Sequence, residues 1–151
     1  MRLDAAWQQA TLIAPVRQLT SGNWVDQGLP FYAGNATLTW DVAVADAGDY
    51  ALDLPDLRAP LARVAIDGRD CGPVAFAPFR IALGQLAAGT HRIAVTVFGN
   101  RANAFGPVHL NDPTFTWLGP HAYRTNDAQW SDAWLLKPIG LLAPPRLMHP
   151  D

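Results

Sequence analysis

Three segments of this chain carry residue types from which a binding or catalytic surface could be built. Trp24, Asp26 and Tyr32 lie in NWVDQGLPFY, Asn100, Arg101, Asn103 and His109 in GNRANAFGPVH, and Trp130 and Asp132 in QWSD. Aromatic rings stack on the apolar face of a pyranose, while amides, carboxylates and guanidinium groups match its hydroxyls. These nine residues are therefore the candidates for carbohydrate contact. A structural role competes at every one of them. Asn and Gly shape tight loops by bonding backbone groups, a buried Arg101 would pair with Asp26 or Asp132, and a loop tryptophan can plug the end of a core.

Bond-breaking chemistry has weaker support. Glycosidic cleavage usually needs two carboxyl groups flanking the scissile bond, and every acidic residue here is an aspartate. Asp46, Asp49, Asp56, Asp67 and Asp70 each sit beside Gly, Pro or another turn former, where aspartate ordinarily bonds its own backbone. No catalytic pair stands out, and a small aspartate-dependent hydrolase is the least favoured reading. His91, His109, His121 and His149 are widely spaced, and Cys71 is alone, so a zinc or other transition-metal site is not expected. Cys71 reads as a packing residue near a turn. No cofactor is expected, although scattered turn oxygens leave room for a structural calcium ion.

Short strands must position these loops. In NATLTWDVAVA, Ala36, Leu38, Trp40, Val42 and Val44 share one face of a half-buried strand. ADAGDYALDLP follows with Tyr50, Leu52 and Leu54 at the same period, and the Gly48-Asp49 turn predicts a hairpin between the two. LARVAIDGRDCG predicts a second hairpin, with Ala62, Val64 and Ile66 inward and Asp67-Gly68 supplying the positive φ angles of a tight turn. Further on, Phe79, Ile81 and Leu83 form one row and Ile93, Val95 and Val97 another. LDAAWQQATL suits a short helix or a strand. LGPHAYRTNDAQWSD reads as a long loop with a helical turn, and AWLLKPIGLLAPPRL as a closing strand broken at Pro138 and Gly140, with Trp134 in a core-facing row. The pattern predicts an all-β, two-sheet antiparallel β-sandwich, a jelly roll in preference to an immunoglobulin-like sandwich.

Composition supports one domain over residues 1–151 and excludes several partners. Half of the residues are hydrophobic, with thirteen prolines, twelve glycines and ten of eleven basic residues arginine, a balance that favours strands and turns over helices. A formal net charge of −2 offers no basic face to nucleic acid. No apolar run approaches the roughly 20 residues of a membrane span, and MRLDAAWQQATL lacks the pattern of a signal peptide. The chain is expected to be soluble, with its compartment left open.

The segment ARVAIDGRDCGPVAFAPFRIALGQLAAGTHRIAVTVFGN resembles the galactose-binding-like jelly roll found beside catalytic domains in glycoside hydrolases, including the sugar-binding domain of the β-galactosidase type of family 2. The matching elements are Val64 to Gly68, Pro78 to Leu83 and Leu86 to Asn100. GLPFYAGNATLTWDV, GNRANAFGPVH and WSDAWLLKPIGLL resemble C-terminal sandwich regions of large bacterial glycosidases. The resemblance implies a non-catalytic accessory module, excised from a larger glycosidase. Its partners would be carbohydrate and the catalytic domain of the same polypeptide. The alternative it leaves open is a ligand-free interdomain scaffold.

Overall fold

Alternation writes the main strands directly. Along β1 (Ala36–Val44), Leu38 and Val44 are buried, while Thr37, Thr39, Asp41 and Ala43 face solvent. The structure, a computed structural model, describes residues 14–112, 119–123 and 128–149. After β1 come β2 (Gly48–Asp53), β3 (Leu57–Arg58), β4 (Leu61–Ile66), β5 (Arg69–Val74), β6 (Arg80–Leu86) and β7 (Gly89–Phe98). A single helical turn, α1 (Ala102–Phe105), precedes β8 (Gly140–Leu141) and β9 (Arg146–Met148). LDAAWQQATL lies outside the described residues. The expected helical turn is a 3-10 turn at Pro120–Tyr123. No helix among the described residues is long and apolar enough to cross a membrane.

The result is an antiparallel β-sandwich. One sheet has the order β1-β7-β4-β5 and the other β6-β2-β9, with β3 and β8 paired apart from both. Ala62, Val64 and Ile66 of β4 and Ile93, Val95 and Val97 of β7 are essentially without exposed surface. They join Tyr50 and Leu52 of β2 and Leu83 and Leu86 of β6 in one core. Each buried Val, Ile or Leu side chain contributes roughly 1.5–3 kcal/mol through burial, so the two facing apolar rows carry much of the stability.

The first predicted hairpin is not formed. β1 pairs with β7, while β2 pairs with β6 and β9 in the opposite sheet. The chain turns a corner between sheets there, with the Tyr50 hydroxyl donating to the Asp46 carbonyl at 2.8 Å. Inward rows of two strands meet the same apolar core whether the strands lie side by side or face each other, so local periodicity does not separate the two cases. The chain crosses between sheets again from β6 to β7. The second hairpin forms as expected, β4 to β5, with Asp67 at φ 50° and Gly68 at φ 79°.

That turn is clamped to β7. Asp67 Oδ1 accepts from the Arg92 amide at 2.8 Å, and Asp67 Oδ2 lies 2.6 Å from His91 Nδ1. His91 Nε2 lies 2.9 Å from the Ala87 carbonyl, which can only accept. Both ring nitrogens therefore face acceptors, and the imidazolium satisfies both. The Asp67 carboxylate and the Ala87 carbonyl raise the His91 pKa, and His91 together with the Arg92 amide lowers that of Asp67.

The sign of the pH dependence follows. The His91 contribution is complete below the ordinary imidazole pKa and is lost as pH rises through the raised value. The Asp67 contribution is complete above the ordinary carboxylate pKa and is lost as pH falls through the lowered value. Thermal melting should therefore show Tm declining as pH rises through and above the ordinary histidine range. His91→Gln should flatten that decline; an unchanged slope would show that other groups cause it.

Candidate functional site

The first two candidate segments converge on one stretch of backbone, residues 129–142, which contains the third, at the loop end of the sandwich. Gly22 N–H donates to the Leu141 carbonyl and Trp24 N–H to that of Ile139, at 2.6 and 2.9 Å. Leu135 N–H donates to Val108 at 2.6 Å, and Ser131 N–H to His109 at 2.8 Å. Leu110 and Trp130 form an antiparallel bridge. Leu142 N–H donates to Asp56, beside the pairing of β3 with β8.

Asn103 is the buried polar side chain in this array. Its Nδ2 donates to the Lys137 carbonyl at 2.8 Å, and its Oδ1 accepts from the Lys137 amide at 2.9 Å. The amide thus acts as a one-residue strand partner and spends both ends on backbone. Asn100 is similarly committed, its Oδ1 accepting from the Ala102 amide at 2.9 Å to open α1. Arg101 is exposed and pairs with neither Asp26 nor Asp132. This corrects the expectation for a buried arginine: it stands at the head of α1, where its side chain projects from the rim.

Trp24 needs a second correction. Its ring is completely buried, so it has no face to offer a sugar. Gly140, at φ 122°, makes this possible: a Cβ there would lie 2.7 Å from the Trp24 ring. Asp26 is exposed and accepts from Asn23 Nδ2 at 3.0 Å. Tyr32 is partly exposed, and its hydroxyl donates to the Asn35 carbonyl at 2.9 Å. His109, Trp130 and Asp132 do come together. The His109 ring stacks on Trp130 with centroids 4.3 Å apart, its Nδ1–H donates to the Ser131 carbonyl at 2.8 Å, and Trp130 Nε1–H donates to Asp132 Oδ1 at 3.0 Å.

Sequence reasoning missed an exposed aromatic surface beside the closing segment. Trp134, expected in a core-facing row, is 58% exposed and packs edge-on against exposed Phe31 at 4.7 Å. Phe105, Tyr123 and Leu135 are exposed nearby in the same network. The detectable signal was the pair of strand breakers in LLKPIGLL, which confines burial to Ile139, Gly140 and Leu141. A half-open cavity of about 160 Å³ lies between these segments, with Asn103, Val108, Leu110, Asp112, Leu135 and Lys137 among its lining residues. Among the described residues, no group of three or more His, Cys or Asp side chains could hold a metal ion.

Asn103→Ala would leave the Lys137 amide and carbonyl without partners. It should cost about 1–3 kcal/mol in urea unfolding, and Asn103→Asp should not restore the loss because it removes the donor. A loss below about 0.5 kcal/mol would show that Lys137 finds other partners. Gly140→Ala should be more damaging, at about 2–4 kcal/mol in the same measurement, since it combines backbone strain with overpacking against Trp24.

No protein-family model matches this chain, and no curated protein matches it. Among solved structures, it is similar to the rhamnosidase from Novosphingobium sp. PP1Y, with a TM-score of 0.56 and 28% identity over 78% of this chain but 11% of that one. The β-galacturonidase of glycoside hydrolase family 2 from Eisenbergiella tayi, bound to galacturonate, matches at a TM-score of 0.43 and 27% identity, over 65% of this chain and 16% of that one. A β-galacturonidase of the same family and organism, bound to glycerol, gives 0.43 and 26%, over 68% and 18%. The neighbours are glycoside hydrolases, and the likeness to the rhamnosidase is that of a small domain within a much larger enzyme.

Proposed function

We propose that this chain is a non-catalytic accessory module of a carbohydrate-active enzyme, of the galactose-binding-like jelly-roll type, which supports or positions a glycoside-hydrolase catalytic domain. The observation that carries this is the unequal coverage of the rhamnosidase: most of this chain corresponds to about a tenth of that enzyme. The loop chemistry agrees with it. Asp26 and Asp132 each accept a hydrogen bond from a neighbouring side chain, and the amides of Asn100 and Asn103 hold backbone. Such groups organise a surface more readily than they transfer protons.

Carbohydrate binding is a second reading, favoured by Trp130 beside Asp132 and by the exposed ring of Trp134. Exposed indole faces with neighbouring polar groups suit stacking on a pyranose.

Chromogenic α-rhamnosides and β-galacturonides should not be turned over by the purified chain. Turnover abolished by Asp26→Ala or Asp132→Ala would overturn the accessory assignment. Calorimetric titration with rhamnose- and galacturonate-containing oligosaccharides tests the second reading. Saturable binding weakened about tenfold or more by Trp130→Ala or Trp134→Ala, equivalent to about 1.4 kcal/mol, supports it. No heat across these sugars leaves the purely supporting role.

A further inference from the structure

We infer that β1 is a pairing edge: it joins β1 of a second copy of this chain, antiparallel and centred on Trp40, so that two four-stranded sheets become one. This goes beyond the accessory-module assignment and does not depend on it.

Arg92 shows which way the backbone of this edge points. Its carbonyl accepts from the Asp67 amide, and its own amide donates to the Asp67 side chain, both on the β4 side. The N–H and C=O of one residue in an antiparallel strand point the same way, and the direction alternates along the strand. His91, Ile93, Val95 and Val97 therefore turn theirs toward β1, onto their register partners Val42, Trp40, Leu38 and Ala36. Thr37, Thr39, Asp41 and Ala43 are left with N–H and C=O directed away from β7. Among the described residues, no backbone bond from another segment reaches them. Residues 16–21 flank the first half of β1, but across spaces of about 270 Å³ and about 370 Å³.

The other three sheet edges are blunted. An edge strand is a template for further pairing, and proteins guard it with proline, bulges, short length or a covering group. β5 carries Pro73 and a register shift at Val64 and Ala65 of its partner. On β6 the Leu83 carbonyl is taken by Arg69, and the register shifts opposite Tyr50 and Ala51. β9 is three residues long. None of these devices is present on β1, which runs nine residues in continuous register without Pro, Gly or Lys. Its one charged side chain, Asp41, is held by Arg92. Strands usually run to about 5–6 residues, so this is a long and regular edge.

The sequence of β1 complements itself, which selects a second copy as the occupant. Antiparallel pairing through all four outward residues sets Thr37 opposite the partner's Ala43 and Thr39 opposite the partner's Asp41, with Trp40 on the two-fold axis. On the outer face the Thr39 hydroxyl can donate to the partner's Asp41, and no like charges meet. On the inner face Trp40 lies against the partner's Trp40, and Leu38 against the partner's Val42. Trp40 and Val42 are only partly buried within one chain, so pairing covers apolar surface with apolar surface. A register centred on Asp41 would set two carboxylates face to face. One centred on Thr39 would use only three of the four outward residues.

Sedimentation and hydrogen exchange on the 151-residue chain test this pairing. Mean mass should rise with concentration from that of one chain toward that of two. Over the same range, the amides of Thr37, Thr39, Asp41 and Ala43 should come to exchange about tenfold or more slowly. Thr39→Pro and Ala43→Pro each remove an outward N–H at an edge position, where proline is tolerated. Either should weaken association about tenfold or more while the amides of β4 and β7 stay protected. Charge at position 39 reads the register, because it faces the partner's Asp41 twice in the dimer. Thr39→Asp should weaken association and Thr39→Lys strengthen it, each by about three- to tenfold. A chain that stays monomeric at about 1 mM, a dimer that survives both proline variants, or two charge variants that act in the same direction would overturn the proposal. So would outward amides already protected at the lowest concentration, since the chain would then cover its own edge.

Discussion

Backbone at the loop end has to find hydrogen-bond partners where the sheets have already ended, and the closing segment 129–142 meets that requirement. Its amides and carbonyls are answered in turn by His109, Val108, the Asn103 side chain, Trp24 and Gly22. Buried backbone left unpaired would be expensive. The loops are therefore held by a zipper of single residues, and the Asn103 side chain takes the place of a strand partner at Lys137. Trp24 can fill the space beneath because Gly140 has no side chain there.

Charge is arranged on the outside of this frame. Arg92 bonds Asp41 through two nitrogens, and Arg63 bonds Asp70 in the same manner. These pairs are exposed and contribute little to stability. They do connect neighbouring strands: Asp41 and Arg92 are register partners of β1 and β7, and Arg63 and Asp70 lie across β4 and β5. Arg69 reaches from β5 to the Leu83 carbonyl in the opposite sheet, a polar link between the layers. At the other end, polar side chains are turned inward to support loops, and exposed rings are left outward. This division separates ion pairs on the sheet face from exposed rings among the loops.

Much of the sandwich was legible in the sequence. The inward rows of β1, β2, β4 and β7 and the Asp67-Gly68 turn follow from period-two alternation and from the φ angles that turn requires. The first two candidate loops both bond the closing segment that contains the third. Their individual roles were not legible. Whether Trp24 or Trp134 lies inside depends on Gly140, Ile139 and Phe31, which approach from other parts of the chain. Arg101 carries no local mark separating a buried ion pair from a rim cation.

By itself, the sequence determined that apolar rows would be buried in an antiparallel β-sandwich, because alternation and turn chemistry act over a few residues. Only the tertiary structure decided which strands are neighbours and which aromatic rings reach solvent. Both depend on contacts between residues far apart in the chain: β1 meets β7 instead of β2, and Trp24 meets Gly140. Local pattern states that a side chain needs a partner, and the fold states which one it receives.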